Sequence, residues 1–160
     1  KFRTLKEQKQ LLAFIQEAEN INIGFIEKFF KDKDNLELGL EVLGILDQTY
    51  LEKQAKIMGR ATILFKSLSI SKQKFDKYTY IITKLNSHLI TIIENLQTEI
   101  TTNSSMSIIS LPIPNMDLIS FGFIQKLPNG SWFSEAQNKT PFDHKITDEY
   151  FYFYENIFKD

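Results

Sequence analysis

Residues 53–82, KQAKIMGRATILFKSLSISKQKFDKYTYII, decide how this chain is read. Apolar positions in the first half recur at intervals of three and four, the SLSIS run interrupts them, and the period resumes after Ser71. That pattern predicts a helix, a serine-capped corner and a second helix, since a serine hydroxyl accepts a hydrogen bond from an early helical N–H. Gly59 stands inside the first of these helices, where a missing side chain lets a neighbouring helix come close.

Working outward, helical periodicity covers the first hundred residues. One helix is expected from Thr4 to Phe30, with Gly24 marking a kink or a close packing contact, and with Leu11, Phe14, Ala18, Phe25 and Phe29 on its apolar stripe. A second is expected from Leu36 to Asp47, started by Asp34 or Asn35 and apolar on nearly every side, which predicts a central, buried position. The third runs from Gln48 to Leu68 and the fourth from Ser71 to Glu99. Phe75, Tyr78, Ile82, Leu85, Leu89, Ile92 and Leu96 give that fourth helix a heptad-like seam. The seam's breadth favours an intramolecular bundle, with a homo-oligomer through helix four as the alternative.

All four prolines, at 112, 114, 128 and 141, lie in the last third. There short apolar runs are broken by Pro, Gly, Asn and Ser, so the division is placed between residues 1–101, a helical bundle, and 102–160, an α+β appendage packed on it. Within the appendage Asn115 or Asp117 is expected to cap a single turn closed by Gly122. FGFIQK leads to a hairpin turn at Asn129–Gly130, HKI forms a strand, and Thr147 caps a last helix. Eleven of the 21 aromatic residues fall between Phe121 and Phe158, so rings must supply most of the packing. Tyr150, Phe153, Tyr154 and Phe158 share a docking face, which leaves Phe151 and Tyr152 as the candidate interaction surface. The fold class is therefore mainly α: a four-helix-type bundle with a small C-terminal hairpin-plus-helix part.

Composition removes several functions. The 19 basic and 20 acidic residues nearly cancel, and there is no cysteine. A disulfide framework is thus absent and a reducing compartment is the expectation. No run approaches the roughly 20 apolar residues of a membrane span. The chain reads as cytoplasmic, conditional on the sequence upstream of Lys1 carrying no anchor. The sequons at Asn103, Asn129 and Asn138 follow from an Asn-rich composition rather than from secretion.

Chemistry is sparse. With two histidines, His88 and His144, and no cysteine, no zinc site can be assembled, and no Glu-x-x-His motif supports a di-iron centre. Gly39 and Gly44 have P-loop spacing but are followed by Ile45 and Leu46, and the Asp32–Asp34 run lacks a calcium loop's glycine and terminal glutamate. There is no nucleophile elbow. The expectation is no metal, no cofactor and no catalytic residue, with a protein as the partner. An enzyme using an unrecognised site is the remaining alternative of that class.

Two stretches carry a family resemblance. DLISFGFI followed by a loop and HKITDEYFYFYENIF resembles the closing part of winged-helix domains, which implies a DNA-associated regulator. It departs from that pattern at Tyr150, where glycine is frequent, and in lacking a basic recognition helix before Leu118. Residues 101–160 hold four lysines against seven acidic residues, a balance that opposes phosphate binding. AKIMGR with SKQKFDKYTYII is similar to the helical domains of uncharacterised bacterial proteins of the TerB-like kind. The resemblance implies a bundle and a bacterial interaction or regulatory module; the acidic metal-binding residues of some TerB-like proteins have no counterpart here.

Overall fold

Amphipathic helices with few internal breakers need to bury their stripes against one another, and the computed structural model shows how this chain does so. It describes residues 2–103, 108–111, 114–128 and 143–160, the side chains of 101–103 excepted. The chain is mainly helical with a small antiparallel sheet, and it divides into two compact units, Lys1–His88 and Leu89–Asp160.

The first unit begins with α1 (Phe2–Ile21) and α2 (Phe25–Lys31). The single helix expected over 4–30 is two helices, because Gly24 takes φ 83° and halts the helical path. The Glu19 carboxylate fixes that break by accepting the N–H groups of Gly24 and Ile26 at 2.8 and 3.0 Å. A short 3-10 turn at Lys33–Asn35 leads into α3 (Leu36–Asp47), whose bounds are those read from the sequence. Asn35 stands at its start without a side-chain cap; its amide instead donates to the Phe29 carbonyl and its oxygen accepts from Lys66.

Next come α4 (Glu52–Lys66) and α5 (Lys72–Lys84). Ser71 caps α5 as expected, accepting from the Lys74 N–H at 3.1 Å. Helix α4 is the centre of the unit: Ala55, Ile57, Met58, Ala61 and Thr62 are all buried, and it packs on α1, α3 and α5. A Cβ built on Gly59 would sit 3.3 Å from the Phe14 carbonyl oxygen, so the close helix approach read from that glycine is present.

The long fourth helix of the sequence reading is interrupted. Leu85 is extended at φ −66°, ψ 135°, ending α5, and a new helix α6 (Ser87–Asn103) starts after it. The heptad seam therefore does not run continuously. Phe75, Tyr78, Ile82, Leu85, Leu89 and Leu96 are buried within the chain.

In the second unit α6, from Leu89 onward, is followed by β1 (Ile108–Ile109), α7 (Met116–Ser120), β2 (Ile124–Lys126), β3 (His144–Ile146) and α8 (Asp148–Phe153), whose end widens into a π turn over Tyr154–Phe158. The sheet order is β1-β3-β2, with Ile109 opposite His144 and Ile124 opposite Ile146. The sequence divides the chain at 101/102, where the prolines begin; the contacts place Leu89 onward with the second unit, because the Tyr150 hydroxyl of α8 donates to the Ile93 carbonyl of α6 at 3.0 Å. Asn115 and Thr147 cap α7 and α8 as read. The Asn129–Gly130 turn, the SWF run and the sequons at Asn129 and Asn138 lie outside the described residues. Rings form this core: Phe123 touches Phe121, Tyr150 and Phe153 with centroids 5.6, 5.6 and 5.1 Å away.

Candidate functional site

The two aromatics selected from the sequence, Phe151 and Tyr152, are both partly buried. The Phe151 ring packs edge-on against Tyr150 at 5.6 Å, and the Tyr152 carbonyl accepts from the Asn156 amide.

A larger apolar surface lies on α3. Its sequence is apolar all round, which predicts burial, yet only one side is covered: Val42, Ile45 and Leu46 are buried, whereas Leu36, Leu40 and Leu43 are 65, 62 and 38% exposed. The three leucines sit at i, i+4 and i+7, one face of a helix. Helices α1, α2 and α4 all meet α3, yet among the described residues these three leucines stay exposed. That corrects the central position expected for α3. Phe30, 43% exposed, extends the patch from α2.

Two clefts follow the face. One, about 220 Å³, is formed by Phe29, Phe30, Leu36, Gly39, Leu40 and Leu43, with Lys31, Asp32, Lys33 and Asn35 at its rim. The other, about 380 Å³, is formed by Leu11, Leu43, Gly44 and Leu46 with Glu7 and Asp47. Leu43 lines both. Contiguous exposed apolar surface rimmed by polar groups is characteristic of protein interaction sites.

The charged groups flanking α3 are engaged mainly in exposed pairs. Lys72 of α5 reaches Glu41 of α3 at 3.0 Å and Asp76 at 2.7 Å. Burial opposes its charge, but those two carboxylates outweigh burial and raise its pKa. At the far end Arg3 lies 3.2 Å from Glu7 and 3.8 Å from Asp47, while Lys6 donates to the Asp47 carbonyl.

Buried polar side chains tie the elements around α3 together. In the segment joining α3 to α4, the Gln10 amide donates to the Thr49 hydroxyl and the Leu51 carbonyl. The Gln54 oxygen accepts from the Tyr50 and Leu51 N–H groups, and its amide donates to the Ile82 carbonyl at 2.8 Å. Arg60 and Glu17 pair at 3.0 Å between α4 and α1, with both side chains largely covered. Neither glutamine was singled out from the sequence, since nothing local distinguishes a buried glutamine from a solvated one.

The second unit holds a histidine–carboxylate pair. Asp143 Oδ1 accepts from the Leu111 N–H and from His144 Nδ1, both at 2.8 Å. Burial works against ionisation of the Asp143 carboxyl, but the backbone donor and the imidazole prevail and hold its pKa below the usual value. His144 is 3% exposed, on the covered side of β3. Asp143 thereby links the start of β3 to the segment after β1, with the His144 ring enclosed beside it. His88 is exposed. A cleft of about 320 Å³ between α6 and α7 is lined by Ile92, Leu96, Leu111, Pro114 and Leu118, with Asn95, Glu99 and Asn115. Burial raises the Tyr150 hydroxyl's pKa well above its ordinary value, which suits its role as a hydrogen-bond donor to Ile93.

Among the described residues no three His, Cys, Asp or Glu side chains converge as metal ligands, and no helix is long and apolar enough to cross a membrane. The fold and these sites define a mainly helical protein with an uncovered apolar helix face. Comparison with protein-family models, curated proteins and solved structures yields no match.

Proposed function

We propose that this chain is a non-enzymatic interaction or regulatory module of the bacterial cytoplasm whose working surface is the uncovered face of α3. The observation that supports this most is the exposure of Leu36, Leu40 and Leu43 together on one helix face beside Phe30. Leaving three leucines in water forgoes roughly 1.5–3 kcal/mol of burial for each one that could be fully covered, a loss that partner binding would recover. The polar clamps at Gln10 and Gln54 fix the segment that leaves α3, which limits the ordering that docking would cost.

The test is capture of partners by the immobilised chain, comparing wild type with Leu36→Glu/Leu40→Glu and with Phe151→Ala/Tyr152→Ala. Partners should be lost with the α3 pair. A set of partners unchanged by both double substitutions would overturn the reading.

A further inference from the structure

We infer that the partner covering α3 is a second copy of this chain, bound antiparallel about a two-fold axis that passes α3 at Leu40. The inference rests on the reading of α3 as an interaction face and adds who occupies it.

Its basis is register. In an antiparallel pair of identical helices, residues equidistant from the axis meet, and every contact occurs twice. With the axis at Leu40, that residue faces its own copy. Leu36, four residues before, faces Gly44, four residues after. Leu36 is a projecting, 65% exposed side chain, and a Cβ built on Gly44 would find nothing within 4 Å, so the glycine leaves a hollow where the partner's leucine arrives. Lys33 lies in the turn just before α3, so antiparallel pairing brings it to the end of the partner helix that carries Asp47; both are exposed and their charges are opposite.

The existing neighbours of Asp47 leave room for this contact. Arg3 is 3.8 Å from its carboxylate and Lys6 binds its carbonyl instead, while a carboxylate accepts several donors at once. Antiparallel packing also sets the two helix dipoles head to tail. An unrelated partner would have no need for α3 to complement itself. One register here satisfies a leucine-to-hollow contact, an ion pair and a leucine-to-leucine contact together, and that selects a second copy.

The absence of cysteine makes the test direct. Leu40→Cys should form a disulfide-linked dimer under mild oxidation far faster than Leu68→Cys, a control at an 88% exposed residue outside α3. Mixed Leu36→Cys and Gly44→Cys chains should cross-link to each other in preference to themselves. In sedimentation velocity at about 100 µM, where a micromolar dimer is well populated, wild type should be dimeric and Leu40→Glu monomeric with unchanged circular dichroism. Lys33→Asp and Asp47→Lys should each weaken the dimer by about threefold to tenfold, and the double exchange should restore it. A monomeric wild type with no cross-linking above the Leu68→Cys control would overturn the proposal, as would Leu36→Cys self-linking in preference to Gly44→Cys. Partner capture that still depends on Leu36 and Leu40 in a monomeric protein would also overturn it, while leaving the interaction reading in place with a different partner.

Discussion

The backbone of α4 at Gly59 and that of α1 at Phe14 are in direct contact, with the Cβ position of the glycine 3.3 Å from the Phe14 carbonyl oxygen. The atom in the way is backbone inside a helix, so it cannot swing aside as a side chain would. Gly59→Val should destabilise the first unit by about 3 kcal/mol, overpacking adding to the poor helix propensity of a β-branched residue. Gly59→Ala should cost at least about 1 kcal/mol less, because alanine gains roughly 1 kcal/mol of helix propensity over glycine and adds only one carbon. Urea denaturation compares the three, and a valine variant as stable as the alanine variant would contradict the contact.

Leu68 ends α4 with φ 63°, a conformation that suits glycine and strains leucine. The surrounding bonds are those of a Schellman cap: Ser69 N–H to the Leu64 carbonyl and Leu68 N–H to the Phe65 carbonyl. The side chain is 88% exposed, so removing it uncovers almost nothing. Leu68→Gly should therefore stabilise the protein by about 1 kcal/mol, the relief of left-handed strain exceeding the added chain entropy. A lower melting temperature for this variant would show that the leucine contributes a contact outweighing its strain.

How far the sequence foretells this structure varies with the kind of signal. Local chemistry is legible: the caps at Ser71, Asn115 and Thr147 follow from single residues acting on nearby N–H groups. The break at Leu85 is not, because apolar spacing continues through it without glycine or proline; Asn86–Ser87, a good helix start, is the signal that the heptad pattern outweighed. Composition cannot say which side of an all-apolar helix stays bare, so the uncovered face of α3 emerges only from tertiary packing. Phe151 and Tyr152 show the reverse: they lie off the docking stripe of α8 yet are partly buried.

Asp143 should make the second unit sensitive to acid. Its carboxyl has a pKa lowered from 3.8 in the folded state. A lowered folded value means the stabilisation is fully present above the unfolded value and is lost as pH falls through the folded one. Melting temperature should accordingly drop across the window below about pH 4, and the drop should be shallower in Asp143→Asn, which keeps an oxygen for the Leu111 N–H but has no charge to lose. Equal slopes for the two proteins would mean that other carboxylates govern the acid limb.

Gln54 should be among the costliest polar residues to replace. It is fully buried at the start of α4, and its oxygen takes up the Tyr50 and Leu51 N–H groups that a helix start leaves without intrahelical partners. The Ile82 carbonyl, by contrast, also accepts from the Leu85 N–H and would remain partnered without the glutamine amide. Gln54→Met keeps the volume and leaves two part-buried donors without their acceptor, at a cost of about 2 kcal/mol. Gln54→Glu keeps the acceptor but buries a carboxylate facing the Ile82 carbonyl, so its destabilisation should shrink as pH falls and the acid protonates, regaining a donor for that carbonyl. Chemical denaturation of both variants at neutral and acidic pH checks this pattern; a glutamate variant whose deficit stays constant with pH would place its side chain outside the clamp.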